Sequence, residues 1–179
     1  MAAAPADVLI RPEAPDDRDA IDAVVAAAFG SPVEAGLVVA LRAEPGYVPE
    51  LALVAVLDGV VVGHTMVTTT WIVEDDVRRS VAMLSPLAVS PEHQGRGIGS
   101  ELVRRVVALA DDLGHPAVIL EGSPAFYGRL GFEPAAAHGI EIHLPDWAPP
   151  EAAQVHLLRA YDPVLRGTVE YPPPFDGLS

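Results

Sequence analysis

The chain has 179 residues, half of them apolar and 20% charged, which suits a sizeable buried core and lies outside the composition of disordered chains. It has no cysteine, and all 11 of its basic residues are arginine, so disulfides, thiolate nucleophiles, cysteine-bound zinc, lysine-bearing phosphate loops and Schiff-base chemistry are excluded. A formal charge of −14 argues against a nucleic-acid surface, which needs clustered cations, and suits either a solubilising acidic surface or a cationic substrate.

The first residues lack the basic stretch and long apolar run of a secretory signal, and the longest apolar run, Leu51 to Gly63, is broken by Asp58. The expectation is a cytoplasmic protein with no membrane partner. Val8 to Ile10 reads as a first strand. Asp16 to Phe29 carries a helical stripe of Ile21, Val24, Val25, Ala28 and Phe29, with Gly30 placed to end it. Ser31-Pro32-Val33-Glu34 predicts a second helix running to about Ala43, with Ser31 as its cap, Pro32 in its first position and Glu34 closing a capping box.

Leu51 to Leu57 and Val60 to Thr70 are β-type runs joined by Asp58-Gly59, a hairpin signal. A turn at Glu74 to Asp76 leads into a third run, Arg79 to Val89, in which Pro86 marks an edge or a bulge. Three glycines on alternate positions follow, Gly95, Gly97 and Gly99. Each is free to take backbone angles closed to other residues, and together they open a helix whose N-terminal amides favour an anion. That helix carries Ile98, Leu102, Val103, Val106, Val107, Ala110 and Leu113 on one side and ends at Gly114. Ala117 to Leu120 is a short buried strand, so strand–helix–strand implies a parallel crossover. A brief helix spans Ala125 to Leu130. Gly139 to Leu144 and Ala153 to Tyr161 are candidate strands around a proline-rich stretch, and the tail from Asp162 reads as irregular.

The glycine loop followed by a strand ending in Glu121 superficially matches a dinucleotide fingerprint, but the third glycine falls one position early and five residues separate strand from loop. The pattern instead resembles the GNAT superfamily of acyl-CoA-dependent N-acyltransferases. Its loop, Gln/Arg-x-x-Gly-x-Gly/Ala, is matched by Gln94-Gly95-Arg96-Gly97-Ile98-Gly99, and its second signature, a tyrosine four residues before Gly-Phe, by Tyr127 and Gly131-Phe132.

The resemblance implies an α/β fold with a mixed, mostly antiparallel twisted sheet, splayed parallel central strands and flanking helices, as one domain over residues 1–179 with a core at about 8–161. It implies acetyl-CoA as co-substrate, its pantetheine arm on the main chain of Leu87, Ala88 and Val89 and its pyrophosphate on Gln94, Gly95, Arg96, Gly97, Ile98, Gly99 and Ser100. Tyr127 is implied as general acid toward the departing thiolate, with transfer by direct attack of a primary amine. For the base, Glu121 and His64 are both candidates, as is a water relay. Glu141-x-His143 offers two ligands, a poor metal site, so no metal is expected. A non-catalytic acyl-CoA sensor and a transferase for longer acyl groups are the alternatives, and monomer and homodimer both remain open.

Overall fold

The computed structural model describes residues 3–176. The chain divides into two compact units, Met1–Thr68 with Ser85–Leu109, and Thr69–Leu84 with Ala110–Ser179.

In the first unit, β1 (Leu9–Pro12) pairs antiparallel with β2 (Tyr47–Leu57), and β2 with β3 (Val60–Glu74). Asp58 and Gly59, at φ 51° and 77°, form the turn between β2 and β3; both central residues have positive φ, as the twist of a two-residue hairpin demands. Leu51 to Ala55 are all buried, and this unbroken apolar run belongs to a strand covered on both faces. Two helices join β1 to β2. α1 (Arg18–Phe29) buries Ile21, Val24 and Val25 and ends on Gly30 in the left-handed region (φ 68°). Phe29 is exposed, outside the stripe predicted for it.

α2 (Val33–Leu41) starts one residue later than the sequence suggests. Ser31 Oγ accepts the Val33 N–H (3.1 Å), Pro32 occupies the cap itself, and no capping box with Glu34 forms. β4 (Val77–Val89) follows β3 through Asp75 and Asp76, both at positive φ. α3 (Ile98–Asp112) packs Ile98, Leu102, Val103 and Val106 inward. Gly63 on β3 permits this approach, since a Cβ there would stand 3.0 Å from Leu102 Cδ1 and 3.3 Å from the Ala88 carbonyl oxygen. Leu113 lies past the helix end and is half exposed.

In the second unit, β5 (Ala117–Glu121) runs parallel to β4 through Ala82↔Val118 and Met83↔Ile119. Pro86 lies three residues past the last of these registers. Since β4 has β3 and β5 as neighbours, this proline does not mark an edge strand. After β5 come α4 (Pro124–Tyr127), β6 (Glu133–Pro134), β7 (Ile140–Glu141) and β8 (Ala153–Leu157). β8 pairs antiparallel with both β5 and β6.

The tail is not irregular throughout, because β9 (Gly167–Glu170) pairs antiparallel with β3 through Trp71, Ile72 and Val73, and parallel with β7. Gly167 makes this possible: at φ 119° a Cβ would sit 2.2 Å from the Val73 carbonyl oxygen. The unit's core is built from Ile72, Val81, Met83, Ile119, Ile140 and Val155.

Candidate active site

In the first unit the end of β4 and the start of α3 are joined by one short 3-10 turn, Pro91–His93, and the glycine loop. Gln94 secures the loop to the strand it leaves, its Nε2 donating to the Val89 carbonyl oxygen (3.0 Å). Gly95 and Gly97 both take left-handed φ, 75° and 79°, a conformation that costs an L-residue roughly 1–2 kcal/mol. Gly99 does not. It lies inside the first turn of α3, a correction to the expectation that all three glycines supply unusual angles.

An early intrahelical bond runs from the Glu101 N–H to the Gly97 carbonyl (3.1 Å), so the first turn of α3 opens directly from the glycine loop. Arg96 is exposed between the two left-handed glycines and makes no ion pair among the described residues. Ile98 and Ser100 are buried and anchor the helix start, while Ala88 is buried next to half-buried Leu87 and Val89. Together the turn and the free guanidinium fit a phosphate-bearing group: backbone donors, a positive dipole end and one mobile cation.

His64, a candidate base, lies elsewhere in the same unit and is fully buried, with its Nε2 2.9 Å from Glu13 Oε2. Arg42 Nε donates to the other Glu13 oxygen (2.7 Å) and Tyr47 Oη adds a third donor (3.2 Å). Burial alone would push the Glu13 carboxyl up, but the hydrogen bonds from His64 and Arg42 outweigh it and hold it down at about 2. Burial and the nearby Glu13 charge push the Tyr47 phenol up to about 12. This cluster ties the segment after β1, the end of α2, β2 and β3 together. The sequence reading missed Glu13, because a lone acid after Arg11-Pro12 carries no periodic signal.

In the second unit Gly122 follows Glu121 at the end of β5 and carries the Tyr127 ring. Tyr127 is 8% exposed, and its ring lies directly on Gly122, where a Cβ would meet ring atom Cε2 at 2.3 Å. The second signature has a mechanical cause. Gly131 at φ 90° reverses the chain, so the Phe132 N–H donates to the Tyr127 carbonyl (3.2 Å) and the Phe132 ring meets the Tyr127 ring edge-on at 5.5 Å. Phe126 closes the other side at 4.8 Å. Burial pushes the Tyr127 phenol up to about 12. Its hydroxyl makes no hydrogen bond among the described residues and is not one of the fully enclosed unpaired polar atoms, so the oxygen keeps some exposure.

Glu121 is exposed at the end of β5 and accepts a hydrogen bond from the Tyr171 hydroxyl. Burial and then the Glu121 charge push the Tyr171 phenol upward, so it stays a donor. Glu121 also borders a cavity of about 350 Å³ in this unit, with walls that include Leu144, Trp147 and Pro149.

A glycine-turned helix mouth after a β-strand, and a buried tyrosine braced by Gly-Phe, define an acyl-CoA N-acyltransferase of the GNAT type. The sequence model of the Acetyltransferase (GNAT) family matches residues 21–132, and the chain belongs to this family. The uncharacterized N-acetyltransferase YhbS of Escherichia coli K12 is 37% identical over 168 residues, covering 92% of this chain and 96% of the relative. A crystal structure of Escherichia coli YhbS in complex with CoA superposes with a TM-score of 0.84 at 35% identity, over 100% of this chain and 98% of that one. A GNAT acetyltransferase from Brucella melitensis in complex with acetyl-CoA gives 0.76 at 30% identity, over 94% and 98%. The protein is an acyl-CoA-dependent N-acetyltransferase with the GNAT fold. Among the described residues no helix is long and apolar enough to cross a membrane.

Proposed function

We propose that this chain transfers the acetyl group of acetyl-CoA to a primary amine by direct attack, with Tyr127 as general acid. The neutral amine nitrogen bonds to the thioester carbonyl carbon and the carbon–sulfur bond breaks. Glu121 first accepts the proton lost by the ammonium; the departing thiolate then takes the proton of the Tyr127 hydroxyl, and the proton that the nitrogen sheds on becoming an amide restores the phenol. The observation that carries this reading is the Tyr127 hydroxyl, accessible and without a hydrogen-bond partner among the described residues, on a ring held by Gly122, Phe126 and Phe132. A phenol held near 12 is protonated at any physiological pH, so it is always ready to donate.

Leu87, Ala88 and Val89 supply main-chain groups to the pantetheine arm, and Gln94 to Ser100 supply amides to the pyrophosphate, with Arg96 as countercharge. The two relatives solved with CoA and with acetyl-CoA support this assignment. Glu121 is favoured over His64 as base because it is solvent-accessible, whereas His64 is enclosed against Glu13.

The test is Tyr127→Phe. Thiol release at saturating amine is expected to fall about 10²–10⁴-fold, the usual contribution of a general acid, with the acetyl-CoA dissociation constant unchanged. Unchanged turnover with chemistry rate-limiting removes Tyr127 from its role.

A further inference from the structure

The cavity at the end of β5 is built from unlike parts. Among the described residues Glu121 is the single charged group on it; Leu144, Trp147, Pro149 and Ala152 supply apolar walls, and Ser123 one hydroxyl. The main-chain groups of Gly122 are already committed, its N–H to the Ala152 carbonyl (2.9 Å) and its carbonyl to Gln154 Nε2 (3.0 Å). An occupant therefore meets one anion, one hydroxyl and a half-open, mostly apolar wall. Trp147 is 84% exposed, a large aromatic face with no packing role of comparable size in this unit. The volume of about 350 Å³ lies at the lower end of small-molecule sites, too small for a folded partner.

From this we infer that the cavity is the acceptor subsite and that it selects a small primary amine on a compact apolar or aromatic body. The ammonium pairs with Glu121, and the body lies against Leu144, Pro149 and the Trp147 face. The inference rests on the acetyl-transfer reading above and adds to it the class of acceptor. Three features make the assignment. The anion complements an alkylammonium, and the net charge of −14 draws cations toward the surface. Gly122 forms part of the cavity and also carries the Tyr127 ring, so the occupant sits beside the residue that serves the leaving group. The walls discriminate: they offer mostly apolar surface to the body, so an amino-sugar covers its hydroxyls with few partners and binds about tenfold more weakly than an apolar amine.

Tyr171 is a positioning residue in this arrangement. Its hydroxyl fixes one Glu121 oxygen and leaves the other for the ligand. Its ring is itself held by Phe175 at 5.2 Å.

The full chain is tested with three probes: phenethylamine, phenethyl alcohol and glucosamine. Trp147 is one of only two tryptophans, so binding is read by intrinsic fluorescence without acetyl-CoA, and turnover by thiol release with it. Phenethylamine is expected to change the fluorescence saturably and to be acetylated, and the alcohol and glucosamine to bind at least about tenfold more weakly. Trp147→Ala, an exposed position that leaves folding intact, is expected to raise the KM for phenethylamine about tenfold without changing acetyl-CoA binding.

Glucosamine binding as tightly as phenethylamine, or a Trp147→Ala KM within twofold of the parent, overturns the subsite. Phenethylamine binding that depends on Trp147 but gives no thiol release leaves the subsite standing and sinks the transfer reading. Thiol release indifferent to Trp147 does the reverse.

Discussion

Replacing Gly122 by alanine isolates the placement of the Tyr127 hydroxyl from the chemistry of the phenol. The backbone at Gly122 is not in the left-handed region, so alanine meets no torsional penalty there. The new Cβ would stand 2.3 Å from Tyr127 Cε2, 2.8 Å from Cδ2 and 3.3 Å from Leu120 Cδ1. Carbon atoms in contact sit about 3.5–4.0 Å apart, so the ring must retreat by more than about 1 Å. Phe126 and Phe132 both pack edge-on against the ring, at 4.8 and 5.5 Å, and hinder a free swing.

A displacement of that size at a reacting group costs on the order of 10²-fold in rate. The overpacking should cost about 1–3 kcal/mol of stability, lowering Tm by about 5 °C in a chain of this size. The assay is thiol release under saturating acetyl-CoA and amine, alongside calorimetric unfolding and a CoA titration. The double variant with Tyr127→Phe should be no slower than Tyr127→Phe alone, because the two changes remove one function. A Gly122→Ala enzyme with kcat within twofold of the parent, or one whose defect lies wholly in CoA affinity, refutes the reasoning.

Other perturbations separate the remaining parts. Arg96→Ala should weaken CoA about fivefold at low ionic strength and much less at 0.5 M salt, since the guanidinium is exposed and screened; titration at two salt concentrations reads this. Glu13→Gln should destabilise the protein by roughly 3 kcal/mol, the cost of leaving the largely enclosed Arg42 guanidinium without its anion, measured by denaturant unfolding. The parent's Glu13 carboxyl falls from 4.5 to about 2 on folding, so its contribution is complete above pH 4.5 and disappears as pH drops toward 2. The variant should show a flatter loss of stability across that window. Tyr127, raised from 10.0 to about 12, should put no alkaline limb into kcat below pH 10, which a pH–rate profile checks.

The parts of the fold legible in the sequence were those with local causes. Asp58-Gly59 encodes its turn through two residues that tolerate positive φ, and the α1 and α3 stripes follow a helical period. Gln94 to Gly99 and Tyr127 with Gly131-Phe132 were legible as motifs, and the Tyr127–Phe132 ring contact shows why that spacing recurs. Gly99 was misread because glycine spacing does not reveal where a helix begins. β9 was invisible for a different reason: Gly167-Thr-Val-Glu is too short for a pattern, and it becomes a strand only by meeting Trp71 to Val73, about a hundred residues earlier. Trp147 and Tyr171 sit in proline-rich stretches without periodicity, so neither the cavity nor the support of Glu121 could be read before the chain was folded.

The most direct measurement of the central claim is a backbone amide titration of 15N-labelled protein with CoA. The largest shifts are expected on the amides of Gly95 to Ser100, and Arg96→Ala is expected to reduce affinity without moving those shifts elsewhere. Saturating CoA that leaves these amides unperturbed would contradict that claim.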